Sequence, residues 1–291
     1  MPAPRDRAPA LHPMHRLPGR GFRVQVPEPS GAHAPAQDAL RVATYNIHKG
    51  VRGLGPRKRL EIHNLGLAVE SFDADVVCLQ EVRLFHHRDA RRFQHSRQGW
   101  PAEGQAEFLA PEGYAVAYRT NAITRHGEHG NALLSRWPIG EVAHHDVSDH
   151  RFEQRGLLHV PVLWNGRCVH VVVAHFALLH AGRLRQVQRL AEYLAAEVPA
   201  GEPLMVAGDF NDWSEKLDAP MRGIGLTRAT DPAPAGWPLV HKPTFPALAP
   251  VFALDRVYLR GLRCRSTLVP RGAGWRRWSD HLPLLAELEV L

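Results

Sequence analysis

The chain has 291 residues, a formal net charge of +7 and an isoelectric point near 9.8, and 44% of its residues are hydrophobic. A chain of this length can bury one sizeable core, and we expect a single domain of about 250 residues. No stretch approaches the roughly 18 consecutive apolar residues of a membrane-spanning helix, and the N-terminus lacks the apolar core of a signal peptide, so we expect neither.

The positive charge favours a nucleic acid or another polyanionic partner, but its distribution is more informative than its total. Only four of the 36 basic residues are lysines, and an arginine excess beside abundant alanine, glycine and proline can reflect genome base composition. The cations cluster in three loop-like stretches: residues 49–59 hold five and no acid, 83–97 hold five arginines and one aspartate, and 263–277 hold five arginines and no acid. We interpret these stretches as a basic rim around an anion-binding mouth.

Three cysteines, Cys78, Cys168 and Cys264, lie in apolar segments without the spacing of a metal site. An odd number in a chain of this length does not indicate a disulfide framework. We therefore expect a reducing, cytoplasmic environment, and we expect a monomer.

The predicted elements begin after a Pro-, Arg-, Ala- and His-rich segment. Residues 1–38 show no hydrophobic periodicity, which predicts a disordered leader in which Met14 is an alternative start. From residue 39 onward, apolar runs separated by Gly and Pro predict the strands Arg41–Ile47, Asp75–Val82, Tyr114–Tyr118, Asn131–Ser135, Glu141–Val147, Gly156–Leu163, Cys168–Phe176, Leu204–Ala207, Phe252–Leu259, Arg263–Val269 and Leu284–Val290. Helical spacing predicts two helices, Arg59–Ser71 and Ala181–Val198. Because strands and helices do not alternate regularly, we expect an α/β fold with two packed sheets and helices outside them.

Oxygen-bearing side chains stand where the predicted strands end. Asn46 ends the first strand and Glu81 ends the second. Asp209 and Asn211 follow a later strand, and their i, i+2 spacing directs both side chains to one side if the chain stays extended. Asp280 precedes the last strand. Such an oxygen-rich site suits a hard cation, Mg²⁺ or Mn²⁺.

Seven short motifs in a fixed order resemble the endonuclease/exonuclease/phosphatase superfamily. They are Thr44-Tyr45-Asn46, Leu79-Gln80-Glu81, Gly130-Asn131-Ala132-Leu133-Leu134-Ser135, Ala174-His175-Phe176, Gly208-Asp209-Phe210-Asn211, Leu254-Asp255-Arg256-Val257 and Ser279-Asp280-His281. Each motif is weak alone, but the ordered set is specific. The resemblance covers residues 40–291 and implies a four-layered α/β sandwich, with two packed mixed sheets flanked by helices, that hydrolyses phosphoester bonds with Mg²⁺.

The resemblance also implies roles for individual residues. Glu81 would be the principal metal ligand, with Asn46 and Asp280 beside it. Asp209 would orient or deprotonate the attacking water, and Asn211 would position the water or the phosphate.

The remaining roles concern the phosphate. His281, held by Asp255, would donate a hydrogen bond or a proton there. His175 and Arg155 would neutralise charge that develops on the phosphoryl oxygens, and Asn131 would add a hydrogen-bond donor.

Ordinary structural interpretations exist for the same residues. Glu81 could be an edge-strand charge, and Asp209 with Asn211 could form a turn and a helix cap. His175 could be a core histidine, and the role of Asp255 could be limited to an ion pair with its neighbour Arg256. The ordered motif set makes the functional interpretation the favoured one.

Several other histidines lie outside that set. His144-His145-Asp146 looks like a metal cluster, but adjacent strand residues point to opposite faces, so we favour a surface position. Ser148-Asp149-His150 repeats the terminal motif, and we choose the copy at residues 279–281 because it precedes a closing strand. His86-His87, His126 and His129 are candidate substrate-loop groups.

The substrate is less constrained than the chemistry. A nuclease or general phosphodiesterase acting on DNA or RNA is our first hypothesis, and a phospholipid-type phosphodiesterase or small-molecule phosphatase is the second. Trp275 and Trp278 around two arginines could stack a base, contact a lipid surface or pack within the loop. A third hypothesis, a binding module without catalysis, is disfavoured because every metal and water position holds a competent residue.

Overall fold

The computed structural model describes residues 38–53, 55–150, 152–233 and 240–291. The predicted leader, apart from Asp38, lies outside these residues. None of the helices described combines the length and the hydrophobicity that crossing a bilayer requires.

Strands dominate the described residues. In chain order they are β1 (Leu40–Asn46), β2 (Val51–Arg52), β3 (Arg59–Leu60), β4 (Val76–His86), β5 (Ala115–Thr124), β6 (Gly127–Ser135), β7 (Ala143–Asp146), β8 (Gly156–Trp164), β9 (Arg167–His175), β10 (Leu204–Asp209), β11 (Thr227–Arg228), β12 (Asp255–Arg260), β13 (Leu262–Leu268) and β14 (Leu284–Val290). The α-helices are α1 (Ile62–Ser71), α2 (His87–Phe93), α3 (Gln105–Leu109), α4 (His180–Glu197), α5 (Asp218–Gly223) and α6 (Trp275–Trp278).

Two six-stranded sheets form the centre of the fold. The first sheet has the order β13-β14-β1-β4-β6-β5, and the second has the order β11-β12-β10-β9-β8-β7. Each sheet contains one parallel pair, β1 with β4 and β9 with β10, while the other pairs are antiparallel. Both sheets are therefore mixed.

Three hydrophobic cores show that the fold has four layers. The largest lies between the sheets and joins residues such as Val42 and Leu133 to Val171 and Met205. A second core packs α4 and α5 on the outer face of the second sheet, and a third packs α1 and α3 on the outer face of the first. The predicted α/β sandwich with two mixed sheets flanked by helices is confirmed.

The main differences from the predicted elements are short helices and longer strands. The basic stretches 83–97 and 263–277 are not only loops, because they contain α2 and α6. The buried Asp89 carboxylate holds α2 against Lys58, at 2.5 Å, and against Arg83. Such tertiary contacts leave no periodic signal in a sequence. Strands β5 and β6 are longer than the apolar runs from which they were predicted. The additional residues of both strands form a polar hairpin.

Candidate active site at the shared sheet edge

The predicted site residues meet at one edge of the two sheets. Asn46 is the last residue of β1. On the second sheet, Asp209 lies in register between His175 of β9 and Asp255 of β12. The Ser279 hydroxyl donates to the Asn46 carbonyl at 2.7 Å, which fixes the terminal motif against β1.

Glu81 reaches this edge through a bulge, not through the end of a strand. Strand β4 continues to His86, so the prediction that Glu81 ends the second strand is wrong. Pairing with β6 is irregular between Leu79 and Val82, and Glu81 has a φ of 58°, in the left-handed region that non-glycine residues rarely adopt. The bulge directs a carboxylate to the site from within a strand.

Two basic residues that the sequence analysis did not assign to the site face its carboxylates. The Lys49 ammonium donates to Glu81 Oε2 at 2.7 Å. His48 Nδ1 lies 3.2 Å from Asp280 Oδ2. Burial would raise the pKa values of both carboxyl groups, but neighbouring side chains oppose it: the Lys49 charge lowers the pKa of Glu81, while the His48 hydrogen bond and the charge of His281 lower the pKa of Asp280. The pKa values of Glu81 and Asp280 therefore fall below their ordinary values.

Asp209 is the centre of the second half of the site. Asn46 Nδ2 donates to Asp209 Oδ2 at 3.1 Å, and the Nε2 atoms of His175 and His281 lie 3.5 and 3.6 Å from the same oxygen. His281 Nδ1 donates to Asp255 Oδ2 at 2.8 Å. All five side chains are buried.

The surroundings separate the proton affinities of Asp209 and His281. Burial raises the pKa of Asp209 to about 6, and the Asp255 charge adds to this rise, whereas His281 opposes it. Burial alone would lower the pKa of His281, but the charges of Asp255 and then Asp209 raise it to about 10. At neutral pH the site therefore holds a carboxylate near its own pKa beside a stable imidazolium.

Two observations bear on predicted details of the second half. The chain does not stay extended after Asp209, which was the condition for a shared side-chain direction: Asn211 has a φ of 48°, its N–H donates to Asp209 Oδ1 at 2.9 Å, and its side-chain amide donates to the Phe176 carbonyl at 2.9 Å. Burial and then the Arg155 charge hold the pKa of His175 well below its ordinary value, which favours a neutral ring. A neutral His175 can still exchange hydrogen bonds.

Arg155 and Asn131 lie at the margin of the site. Arg155 Nε donates to the Phe176 carbonyl at 3.2 Å, and its guanidinium pairs with Glu153 at 3.1 Å. Asn131 is fully buried, and its amide donates to the carbonyls of Gly156 at 2.9 Å and Val173 at 3.1 Å. Asn131 thus braces the two sheets, and the predicted donation to a phosphate would require it to release one of these carbonyls.

Aromatic rings on one flank of His281 were not assigned to the site either. The Phe245 ring lies 4.8 Å from the His281 ring, and Trp213 contacts both Phe245 and Phe252 edge-on. Trp213 and Phe252 are exposed, which gives the mouth an aromatic border. Their wide separation in the sequence gave no signal that they would converge.

Trp275 and Trp278, for which base stacking or lipid contact were alternatives, pack within the protein. Trp275 stacks on Phe72, with ring centroids 5.8 Å apart, and packs edge-on against Trp278. Both join the core beneath α1. The arginines between them, Arg276 and Arg277, are exposed.

The histidines outside the motif set lie elsewhere. His144 Nε2 contacts Asn121, and His145 stacks on Tyr193. In the second Ser-Asp-His copy, Asp149 pairs with Arg185 of α4 and not with a site residue. His129 is closer to the site: it lines a groove with Arg155, and burial, together with the Lys49 charge, lowers its pKa to about 4.

The residues of the first half fit a hard divalent cation. Glu81 and Asp280 present carboxylates that are already held against Lys49 and His48, and Asn46 adds an amide oxygen. An all-oxygen set without thiolates is the chemistry that Mg²⁺ and Mn²⁺ prefer.

Residues 43–281 match the model of the endonuclease/exonuclease/phosphatase family, and the chain belongs to that family. Its members are generally hydrolases that act on phosphoester bonds.

Similar proteins agree with this assignment. The chain is 37% identical, over 258 residues, to the uncharacterized protein YbhP of Escherichia coli strain K12, an alignment that covers 87% of this chain and 98% of that protein. An endonuclease/exonuclease/phosphatase structure from Beutenbergia cavernae superposes with a TM-score of 0.65 at 21% identity, covering 87% of this chain and 72% of that one. The human Nocturnin catalytic domain with bound sulfate gives a TM-score of 0.59 at 20% identity, covering 88% and 96%. At these identities the two structures support the fold alone.

Proposed function

We propose that the chain is a Mg²⁺- or Mn²⁺-dependent phosphodiesterase whose first substrate class is nucleic acid, acting as a monomer in the cytoplasm. One observation carries the proposal: Asp209 and His281 lie 3.6 Å apart, with pKa values of about 6 and about 10. Neighbouring groups with separated pKa values are typical of an acid and base pair. The three cysteines, all free, agree with a reducing compartment.

Residues of the first sheet would hold the metal. Glu81 is the principal ligand, with Asn46 and Asp280 beside it. The bound cation would polarise the phosphoryl oxygen and neutralise its charge. The left-handed backbone of Glu81 supports this role, because such strain is retained mainly where function requires a fixed side chain.

Residues of the second sheet would handle the water and the phosphate. Asp209, ionised at neutral pH, accepts the proton of the attacking water, and Asn211 orients that water. The His281 imidazolium donates to the phosphate or the leaving oxygen, with Asp255 fixing its orientation. Neutral His175 and the Arg155 guanidinium face the phosphoryl oxygens as hydrogen-bond partners.

The basic surface favours nucleic acid as the first substrate class. Arg276 and Arg277 are exposed on α6, which ends directly before the terminal motif. Cations placed there would contact backbone phosphates on either side of the scissile bond. A zebrafish TDP2 structure of the same fold, with a TM-score of 0.55 at 14% identity, is described as a complex with a single-strand DNA product, covering 87% of this chain and 100% of that one.

A separate observation favours a phospholipid as the second candidate. A groove of about 690 Å³ beside Arg155 is bordered by four exposed apolar side chains, Ile123, Phe152, Leu178 and Leu179. Apolar residues concentrated at a pocket mouth are typical of a surface that contacts lipid or an apolar ligand. The acyl chains of a phospholipid substrate would pack against these four apolar side chains.

Substrate screening tests the proposal. The purified protein with Mg²⁺ should hydrolyse bis-p-nitrophenyl phosphate, and excess chelator should abolish the activity. Plasmid DNA, RNA and phospholipid vesicles then distinguish the substrate classes. Binding without turnover of any of these would instead support a binding module.

Salt dependence distinguishes the two leading candidates. Nucleic acid affinity should fall steeply as the salt concentration rises. Neutralising Arg276 together with Arg277 should make the slope of log affinity against log salt concentration shallower by about two. Vesicle co-sedimentation that depends on Ile123 and Leu179 but not on the two arginines would favour the lipid.

A further inference from the structure

The roles assigned above leave the dipeptide His48-Lys49 without a function. Both residues have left-handed backbone conformations, with φ of 45° and 61°. Such conformations are unfavourable for a non-glycine residue, and they persist where the surroundings impose them. Glu81, the partner of Lys49, has the same kind of backbone. Two strained residues from different elements therefore bring their opposite charges together.

The position of Lys49 is fixed by its backbone as well as by its ion pair. The preceding N–H, that of His48, donates to Asn46 Oδ1 at 3.0 Å. The Lys49 carbonyl accepts from Gln105 Nε2 at 2.9 Å, and Gln105 is buried. A lysine on an exposed loop would not have its carbonyl held by a buried amide. The ammonium is thus directed at the site by the fold.

Glu81 does not use all the hydrogen-bonding capacity of this ammonium. The contact involves one carboxylate oxygen, Oε2, which leaves Oε1 for a divalent cation. An ammonium has three N–H donors, so two remain for another acceptor. The side chain is 29% exposed, and its free donors can therefore reach a ligand in the mouth.

The charge balance of the site indicates what that ligand is. Four carboxylates converge there: Glu81, Asp280, Asp209 and Asp255. A divalent cation would bring two positive charges, and Arg155 is already paired with Glu153. Among the described residues, Lys49 is the lysine or arginine that forms an ion pair with one of these four carboxylates, so it supplies positive charge where they would otherwise repel a phosphate.

We infer that Lys49 is a phosphate-binding residue, whose ammonium is held by Glu81 beside the divalent cation and donates to a non-bridging oxygen of the substrate phosphate. The inference rests on the proposed function. A lysine acts here as a point charge that complements a tetrahedral anion.

Two equilibrium titrations of Lys49→Met, which keeps the length of the side chain and removes its charge, test the inference. The first measures Mn²⁺ binding by calorimetry, and the second measures inorganic phosphate binding to the Mg²⁺-loaded protein, with no substrate present. We expect Mn²⁺ affinity to rise by about three- to tenfold, since a nearby positive charge is removed. We expect phosphate affinity to fall by about tenfold or more, since a charged donor is lost. A variant that merely loosened the site would weaken both.

Lys242→Met is the matched control. The Lys242 side chain is also 29% exposed and pairs with a single carboxylate, Asp231, at 2.6 Å, and its other hydrogen-bond partner among the described residues is the Thr267 carbonyl, outside the site. This variant should leave both affinities unchanged. Lys49→Arg should retain most of the phosphate affinity because it keeps the charge.

The outcomes separate this inference from the proposed function. If the unmodified protein binds no divalent cation, the proposed function fails and the role of Lys49 fails with it. If the unmodified protein binds cation and phosphate and Lys49→Met binds phosphate equally well, only the role of Lys49 is overturned. Parallel loss of both affinities in a variant with an unchanged circular dichroism spectrum would also overturn it.

Discussion

Replacing Asp255 by Asn should move the basic limb of the pH–rate profile. Asp255 Oδ2 accepts from His281 Nδ1 at 2.8 Å, and the two groups are buried. The interval between the ordinary histidine pKa of 6.5 and about 10, at about 1.4 kcal/mol per pH unit, corresponds to about 5 kcal/mol of stabilisation of the imidazolium. Of the two carboxylates that raise the pKa of His281 most, Asp255 and Asp209, Asp255 has the larger effect. Its loss should therefore remove at least about half of this stabilisation.

The direction of the change follows from which form of His281 is active. A histidine with a raised pKa is protonated below that pKa, so the imidazolium that the reaction needs is present below about 10 and is lost as the pH rises through that value. The midpoint of the basic limb should lie near pH 10 in the unmodified protein and should fall to about pH 8 or lower in Asp255→Asn. We also expect kcat to drop by about a hundredfold, because the ring loses the partner that orients it.

The assay is hydrolysis of bis-p-nitrophenyl phosphate with saturating Mg²⁺ between pH 6 and 10.5. The double variant with His281→Ala should lose clearly less activity than the product of the two single losses, since Asp255 acts through His281. A basic limb that stays near 10 in Asp255→Asn, or fully multiplicative losses, would refute the reasoning.

Three further predictions concern other residues. Glu81→Gln should weaken Mn²⁺ binding at least about tenfold in a calorimetric titration, because one charge is lost without a change in volume; unchanged affinity would place the ligand role elsewhere. His150→Ala should leave kcat within about twofold, whereas His281→Ala should lower it about a hundredfold; the reverse result would show that the terminal motif was wrongly chosen. Burial, and next His170, lower the pKa of His159 to about 4, so its contribution to stability is complete above pH 6.5 and is lost as the pH falls towards 4. The free energy of unfolding, measured by urea titration, should therefore fall less steeply between pH 6.5 and pH 4 in His159→Gln than in the unmodified protein. The same pH dependence in both proteins would contradict this assignment.

The order of the motifs was sufficient to predict the fold and the set of residues that converge. Apolar runs located the central strands because each is buried on both faces, and Asn46 lies at a strand end as predicted. What the sequence could not provide is backbone conformation. Glu81 and Asn211 both turn through left-handed φ values, Glu81 at a bulge and Asn211 where it donates to the Asp209 carboxylate and to the distant Phe176 carbonyl.

Charge states and distant partners were equally hidden. The neutral state of His175 follows from burial and from Arg155, which depend on how the two sheets pack. Lys49 was visible only as one cation of a basic stretch. Its placement against Glu81 depends on Gln105, a residue of a short helix that showed no periodic signal.

The order of the strands also has a consequence for how the site assembles during folding. Strand β14 lies between β13 and β1, so the first sheet is completed only when a strand distant in sequence from β1 pairs beside it. The second sheet, β7 to β12, is contiguous in sequence and can form earlier. Asp280 and His281 lie shortly before β14. A folding intermediate in which β14 is still unpaired would therefore have Asp209 in place without His281 beside it, and pairing of β14 would complete the site.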